Sequence, residues 1–141
     1  MSLQRAFAIS ATGLTAQRTR METVASNLAN ARTTRTPEGG PYRRQAPVFA
    51  AEPLSVSFDD TLGRVLRSVQ VQRIAQDDSE PLLRYEPGHP DADAAGFVAY
   101  PNIDPVKEMV DMLSATRSYE ANVTVVRSVK DMGQHALQII A

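Results

Sequence analysis

The 141-residue sequence contains no cysteine and no tryptophan, and only 6% of its residues are aromatic. Without cysteine the chain has neither a disulfide framework nor a thiolate metal site. A scarcity of large aromatic side chains favours thin helix–helix packing over a thick globular centre. The length suits one ordinary domain with a modest core.

Long hydrophobic runs are also missing. No stretch of about 18 apolar residues occurs, so the sequence predicts no membrane span. The N-terminal stretch MSLQRAFAISATGL is only partly apolar, because Ser, Thr and Gln interrupt it, and no small-residue cleavage site closes it. We therefore expect no cleavable signal peptide, so that export from the cytoplasm would need another route.

Residue types that carry catalytic or metal chemistry are scarce. Of the two histidines, His89 lies near Asp91 and Asp93, but an exposed acidic loop is the simpler interpretation, because a metal site needs ligands in fixed geometry. His135 is expected on the surface of a helix. The motifs GxSxG, GxxxxGK[ST] and GxGxxG are absent. We expect no catalytic activity, no metal and no cofactor.

Charge is distributed unevenly along the chain. Residues 1–45 have a net charge of +5, residues 46–104 of −6, and residues 105–141 of zero. A cluster of arginines surrounds Tyr42 in the sequence: Arg32, Arg35, Arg43 and Arg44. Nucleic-acid binding is nevertheless not expected, because the net charge of the whole chain is slightly negative and no known nucleic-acid-binding motif is present. Two interpretations stay open: solvated surface charge, and contact with the acidic middle of a neighbouring copy.

A seven-residue apolar repeat predicts one helix over residues 3–30. Phe7, Leu14, Met21 and Leu28 form the repeat, and Gly13 is a weak point inside the predicted helix.

Two asparagines, Asn27 and Asn30, stand three residues apart at the end of this predicted helix. They could end the helix, because Asn tolerates the left-handed conformation. Alternatively, their amides could bond to a packed partner helix and fix its register, as Asn122 could in the second helix. On the second interpretation Asn27→Ala should weaken assembly more than folding of the monomer.

A second helix is predicted from Pro105 to the end of the sequence. Asp104 provides a cap, and proline is favoured at the first helical position. From there, positions separated by three and four residues form a heptad-like seam that is mostly apolar. Its members are Met109, Met112, Thr116, Tyr119, Val123, Val126, Lys130, Gly133, Leu137 and Ile140.

The segment between the helices has a different composition, with eight of the nine prolines in residues 37–101. PEGGPY (37–42) and EPGHPDADAAG (86–96) are typical of loops. SVQVQ (68–72) alternates strictly and predicts a strand, for which PVFAAEPLSVSF (47–58) and GFVAY (96–100) could supply partners. TLGRVLRSV (61–69) fits either a helix or a strand.

The predicted fold class is therefore α+β. Long N- and C-terminal helices pack as a coiled-coil-like pair, and a small, proline-rich insert containing β-strands lies between them. One elongated unit would then consist of an N-terminal axial helix (1–34), a loop and small β insert (35–101), and a C-terminal axial helix (102–141).

Three motifs resemble those of the flagellar basal-body rod and hook axial proteins. GLTAQRTRMETVASNLANARTT resembles the helix of that family that ends in A-x-N-L-A-N-x-x-T. TPEGGPYRRQAPVF (36–49) is similar to the turn that follows the first helix in proximal rod members. YPNIDPVKEMVDMLSATRSYEANVTVV matches the family's terminal helix, although Val126-Arg127-Ser128 replaces an asparagine-containing turn often found there. The resemblance covers roughly the first 50 and the last 45 residues.

This resemblance implies a structural, non-enzymatic protein of the basal-body rod in the periplasm. Such proteins are exported unfolded by the flagellar type III apparatus and polymerise helically into the drive shaft that transmits torque and encloses the export channel. The implied partners are copies of the chain, other rod proteins, basal-body base or adaptor proteins, and the export apparatus. A coiled-coil adaptor that does not polymerise is the alternative.

The predicted self-assembly interface combines the apolar stripes of the two helices with the polar residues of the family motifs. For each member the alternative is packing within one chain. The members are Phe7, Leu14, Met21, Asn27, Leu28, Asn30, Tyr42, Arg43, Arg44, Met109, Met112, Tyr119, Glu120, Asn122, Val123 and Leu137.

Overall fold

The computed structural model describes residues 3–54 and 66–140. The predicted α+β class is confirmed, with one long helix at each end and two small antiparallel sheets between them. In chain order the elements are α1 (Leu3–Ala29), β1 (Gln45–Pro53), β2 (Arg67–Gln76), β3 (Leu82–Tyr85), β4 (Phe97–Tyr100) and α2 (Pro105–Ile140).

The two helices pack side by side in antiparallel orientation. The C-terminal end of α1 meets the start of α2, where Asn27 donates a hydrogen bond to Glu108. Farther along, Gly13 of α1 lies against Asn122 of α2. Because α2 has 36 residues and α1 has 27, the last turns of α2 extend past the start of α1.

Small side chains let the helices approach closely. Ala16 is 2% exposed and Ala115 is fully buried. A Cβ atom added to Gly13 would lie 3.0 Å from Nδ2 of Asn122, which is tighter than ordinary van der Waals contact. Gly13 therefore provides space for α2, and this packing offsets the low intrinsic helix propensity of glycine.

The register of the seam differs from the sequence prediction. On α2 the innermost line runs through Glu108, Ala115, Asn122 and Val129, one residue before each of Met109, Thr116, Val123 and Lys130 in the predicted line. One residue corresponds to about 100° of helix rotation. The space left by Gly13 of α1 favours this rotation near Asn122, because a larger side chain there would hold the helices apart.

The predicted stripe of α1 is only partly in the seam, where Met21 Sδ accepts the hydroxyl of Thr116 on α2 at 3.6 Å. The buried residues of α1 are Ser10, Ala16, Thr23, Val24 and Asn27. By contrast, Phe7 is 48% exposed. The other three members of the stripe, Leu14, Met21 and Leu28, are half-buried.

The close contact at Gly13 leads to a testable prediction. We expect Gly13→Val to lower the free energy of unfolding by about 1–3 kcal/mol, because the added methyl groups overpack the seam against Asn122. Urea denaturation followed by circular dichroism measures this change. The matched control is Gly133→Val on α2, where an added Cβ has open space around it. Equal effects of the two substitutions would contradict a close approach at Gly13.

The strand prediction for residues 68–72 is confirmed. They lie in β2, which pairs with β1 in an antiparallel hairpin that contains a bulge between Val48 and Phe49. Residues 47–53 of the predicted partner segment lie in β1. Residues 55–65, which include the rest of that segment and part of TLGRVLRSV, lie outside the described residues.

A second antiparallel hairpin joins β3 to β4. The predicted strand in GFVAY is confirmed as β4, but its expected pairing with residues 68–72 is wrong, because β4 pairs with β3, a strand that was not predicted. The hairpin packs inward through Val98, which is fully buried. Its loop is held near the end of α1 because Thr34 Oγ1 donates a 2.8 Å hydrogen bond to Oδ2 of Asp91. The two hairpins are separate two-stranded sheets.

Candidate assembly interface

A buried polar cluster lies where α1 ends, β1 begins and α2 begins. We call Asn27, Tyr42, Arg44, Gln45 and Glu108 the Asn27 junction. Asn27 is fully buried. Its Nδ2 donates to the backbone oxygen of Gln45 at 2.8 Å and to Oε2 of Glu108 at 2.9 Å. Its Oδ1 accepts the backbone N–H of Gln45 at 2.9 Å and the Tyr42 hydroxyl at 3.2 Å. Every hydrogen-bonding position of the amide is therefore in use.

The carboxylate of Glu108 completes the junction. Its side chain is only 2% exposed, and Arg44 Nε donates a 2.6 Å hydrogen bond to its Oε1. Both carboxylate oxygens therefore have a donor, one from Arg44 and one from Asn27. A buried charge with these partners is compensated, whereas removal of one partner would leave it costly.

The start of α2 is fixed next to this junction. Oδ1 of Asp104 accepts the backbone N–H of Val106 at 2.9 Å, which is an N-cap interaction as the sequence predicted. Glu108 lies in the first turn of α2, where the helix dipole favours a negative charge. The antiparallel packing of the two helices then places this carboxylate opposite the end of α1.

The three motif asparagines have different roles. Asn30 Nδ2 donates to the backbone oxygen of Ser26 at 2.9 Å, and its Oδ1 accepts the Thr33 hydroxyl, which suits the end of a helix. Asn122 Nδ2 donates to the Ser118 oxygen of its own helix at 3.0 Å. Only Asn27 bonds to the opposite helix, and that helix belongs to the same chain.

The basic and acidic segments meet within the chain. Arg43 Nη1 donates to Oδ1 of Asp78 at 2.9 Å, and both side chains are mostly exposed. Arg35 lies 3.8 Å from Asp91. Together with the bond from Arg44 to Glu108, these pairs use arginines that the sequence left open to a neighbouring copy. Contact of these arginines with another chain stays a prediction.

The predicted interface residues differ widely in exposure. Asn27 is buried. Five are exposed: Phe7, Arg43, Met109, Glu120 and Leu137. Ten are half-buried: Leu14, Met21, Leu28, Asn30, Tyr42, Arg44, Met112, Tyr119, Asn122 and Val123.

An exposed apolar stripe on α2 was only partly found from the sequence. Val106, Met109, Val110 and Leu113 are 68%, 54%, 61% and 61% exposed. Their spacing of three, four and seven residues places them on one face. This α2 stripe is roughly half a helix turn from the line of Glu108 and Ala115 that faces α1. The apolar spacing was visible in the sequence, but it did not indicate which of two apolar lines faced the partner helix.

A groove opens at the other end of the helix pair. Leu3, Phe7, Val126, Val129 and Gly133 contribute to its mostly apolar wall, and its volume is about 380 Å³. Leu137, one turn beyond, is 69% exposed. Apolar surface is therefore available at both ends of the helix pair.

Residues suited to metal or membrane chemistry are not assembled in the described ranges. Within residues 3–54 and 66–140, no three His, Cys, Asp or Glu side chains are grouped to hold a metal ion. Within the same ranges, neither helix is apolar enough over a sufficient length to cross a membrane.

Two family models of flagellar rod proteins match the sequence of this chain. The family model described as "Flagella basal body rod protein" matches residues 7–35, and the one described as "Flagellar basal body rod FlgEFG protein C-terminal" matches residues 94–139. These segments contain most of α1 and nearly all of α2. The matches cover the two helices that the motif resemblance covered.

Full-length relatives extend the similarity across the insert. The chain is 43% identical to the flagellar basal-body rod protein FlgC of Borreliella burgdorferi, over 99% of both chains. It is 46% identical to FlgC of Bacillus subtilis over 93% of both, and 42% identical to FlgC of Salmonella typhimurium over 94% of this chain and 93% of that one. The chain belongs to the FlgC family of flagellar basal-body rod proteins and is a structural component of the basal-body rod.

Proposed function

We propose that the chain polymerises helically with copies of itself and with other rod proteins, so that its helix pairs line the export channel and transmit torque. One observation supports this proposal above all. The seam of the helix pair buries small and polar side chains beside Val24 and Val129, and it leaves the apolar stripe of α2 exposed.

The exposed stripes provide a driving force for association. A globular surface helix normally presents polar residues on the face opposite its core. Here Val106, Met109, Val110 and Leu113 occupy that face and are all more than half exposed. Burial of each of these side chains against a neighbour is worth roughly 1–2 kcal/mol. Four such side chains would stabilise a subunit contact by several kcal/mol before entropy costs.

The Asn27 junction suits a subunit that carries a mechanical load. It joins three elements through directional hydrogen bonds, and an apolar seam alone could slide by a helical turn. Because Asn27 and Glu108 are buried, water does not compete for these bonds. The junction therefore fixes the axial register of α1 against α2, as a shaft component requires.

The remaining partners follow from the family rather than from any contact within the chain. We propose that the subunit meets other rod proteins and basal-body base or adaptor proteins, and that the flagellar type III apparatus exports it unfolded without a cleaved signal. Its role is mechanical and involves no catalysis, cofactor or nucleic acid. Its place is the proximal part of the rod, in the periplasm.

The α2 stripe provides the experiment. We expect Leu113→Asp to reduce the assembled fraction at least tenfold and to abolish motility, because a charge in the stripe cannot be buried against a neighbour. Sedimentation of the purified chain and swimming of complemented cells measure these effects. The urea midpoint should stay near that of the unmodified chain, because Leu113 is 61% exposed in the subunit.

Ser114→Asp is the graded control. It introduces the same charge at an exposed position at the edge of the α2 stripe, four residues after Val110. We expect a smaller loss of assembly than for Leu113→Asp. A closed oligomer of fixed mass at rising concentration, with Leu113→Asp unchanged, would favour the alternative of an adaptor that does not polymerise.

A further inference from the structure

The hairpin of β3 and β4, which we call the second hairpin, presents an apolar face to solvent. The antiparallel register places Leu83, Tyr85 and Phe97 on one face and Val98 on the other. Val98 is fully buried, whereas the three residues of the outer face are 67%, 66% and 40% exposed. The rings of Tyr85 and Phe97 contact each other edge to face, with centroids 5.4 Å apart. Side chains that pack the hairpin onto the subunit therefore lie on the face opposite the aromatic pair.

This outer face is held in a fixed shape. Gly96 has a φ of +86°, and a Cβ atom there would lie 2.9 Å from Cε2 of Tyr85. Oδ1 of Asp93 accepts the N–H groups of Ala95 and Phe97, both at 2.8 Å. The loop is thus closed by its own hydrogen bonds and positions the Tyr85 ring. A preorganised surface loses little entropy on binding, which distinguishes it from an apolar loop that happens to be exposed.

The hairpin of β1 and β2, the first hairpin, also has an outward apolar face. Phe49 lies directly opposite Val71, Ala51 opposite Val69, and Pro47 opposite Ile74. Phe49 is 39% exposed, Val69 37% and Ile74 50%. These three residues are on one face, because directly opposed residues share a face and the bulge restores the alternation. Within residues 3–54 and 66–140, each subunit therefore carries two apolar sheet faces that are exposed.

Charge decides which of these faces fit together. The second hairpin with its loop, residues 82–100, has a net charge of −2, from Arg84, Glu86, Asp91 and Asp93. The first hairpin with its connection, residues 45–76, has a net charge of zero, and Arg67 lies on the same face of it as Val69. Two second hairpins would repel each other, whereas Arg67 of a first hairpin attracts the acidic loop of a second hairpin from another chain.

We propose that the second hairpin of one subunit docks onto the first hairpin of a neighbouring copy. Leu83, Tyr85 and Phe97 pack against Phe49, Val69 and Ile74, and the acidic loop approaches Arg67, which shares that face. The contact uses different surfaces on its two sides, so it propagates from copy to copy instead of closing into a dimer. This inference rests on the proposed polymerisation and identifies one of its contacts.

The absence of cysteine from the sequence permits a direct test. Two full-length variants, Val69→Cys and Tyr85→Cys, are mixed under assembly conditions and treated with a short bismaleimide crosslinker. We expect the mixed covalent dimer to exceed either same-variant dimer at least tenfold. The control replaces Tyr85→Cys with Glu38→Cys, an exposed position in the loop before β1 that should give background yield.

A charge-reversal experiment provides a second readout. Arg67→Glu should lower the mixed dimer yield at least fivefold, whereas Arg73→Glu, on the opposite face of the first hairpin, should leave the yield unchanged. Both variants should keep the urea midpoint, because both arginines are exposed in the subunit. Failure of the unmodified chain to assemble would overturn the proposed function together with this contact. Two outcomes would overturn the docking alone, provided that the chain assembles normally. One is a background yield of the mixed dimer of Val69→Cys and Tyr85→Cys. The other is a Tyr85→Cys variant that crosslinks mainly to itself.

Discussion

Asn27→Ala should lower the free energy of unfolding of the subunit by about 3–5 kcal/mol, the largest effect that we expect from any single substitution. The change removes all four hydrogen bonds of the Asn27 amide. The N–H and C=O of Gln45 and one oxygen of Glu108 then lose partners in a buried site. Each unsatisfied buried group destabilises by about 1–3 kcal/mol. Domains of ordinary size have only about 5–15 kcal/mol of stability, so the variant should unfold at much lower urea concentration.

Asn30→Ala is the control that the chain offers three residues away. Asn30 is half-buried, and its amide bonds only to the end of its own helix and to Thr33. We expect a loss of about 1 kcal/mol there. Urea titration of dilute protein by circular dichroism measures both variants. Equal losses at Asn27 and Asn30 would contradict a special role for the junction.

The structure changes the role that we assign to Asn27 of the NLAN motif. The sequence suggested that Asn27→Ala would weaken assembly more than folding. Because Asn27 is fully buried between elements of its own chain, we now expect folding to be weakened first. Assembly would then fall as a consequence of a loose helix pair, and variants of the exposed α2 stripe are the sharper probes of subunit contacts.

The helices were predictable because local signals define them. The repeat of Phe7, Leu14, Met21 and Leu28 identified α1, and Asp104 followed by Pro105 identified the start of α2. The rotation of the seam was not predictable from apolarity, because its buried residues include Glu108, Asn27 and Ala115 as well as Val24 and Val129. The sequence marked Gly13 as a weak point of the helix. In the structure, Asn122 of α2 packs closely against this glycine.

The other features that could not be predicted depend on contacts between residues that are far apart in the sequence. The carboxylate that binds Asn27 is 81 positions away, and no spacing rule connects the two. The partners of Arg43 and Arg44 depend on how the insert folds back, so solvated and paired states were equally consistent with the sequence. The strand β3 has only four residues, Leu82–Tyr85, and no alternation of apolar and polar residues to reveal it.

Arg44→Met should be the second most damaging change, with a loss of about 2–4 kcal/mol in the free energy of unfolding. It leaves the Glu108 carboxylate, which is 2% exposed, with the Asn27 amide as its donor. About a third of the Arg44 side chain is exposed, which places the effect below that expected for a fully buried pair. The methionine side chain keeps much of the apolar contact of the arginine stem, so the loss reports mainly on the charge.

The neighbouring arginine is the control for this prediction. Arg43 forms its ion pair with Asp78 at the surface, so Arg43→Met should change stability by less than about 1 kcal/mol. The double variant Arg44→Met with Glu108→Leu should be more stable than the sum of the single losses indicates, because it leaves no unpaired buried charge. Additive losses, or equal effects at Arg43 and Arg44, would show that the Arg44–Glu108 pair does not hold the junction. A large coupling would show that this pair, with Asn27, connects the end of α1 to the start of α2.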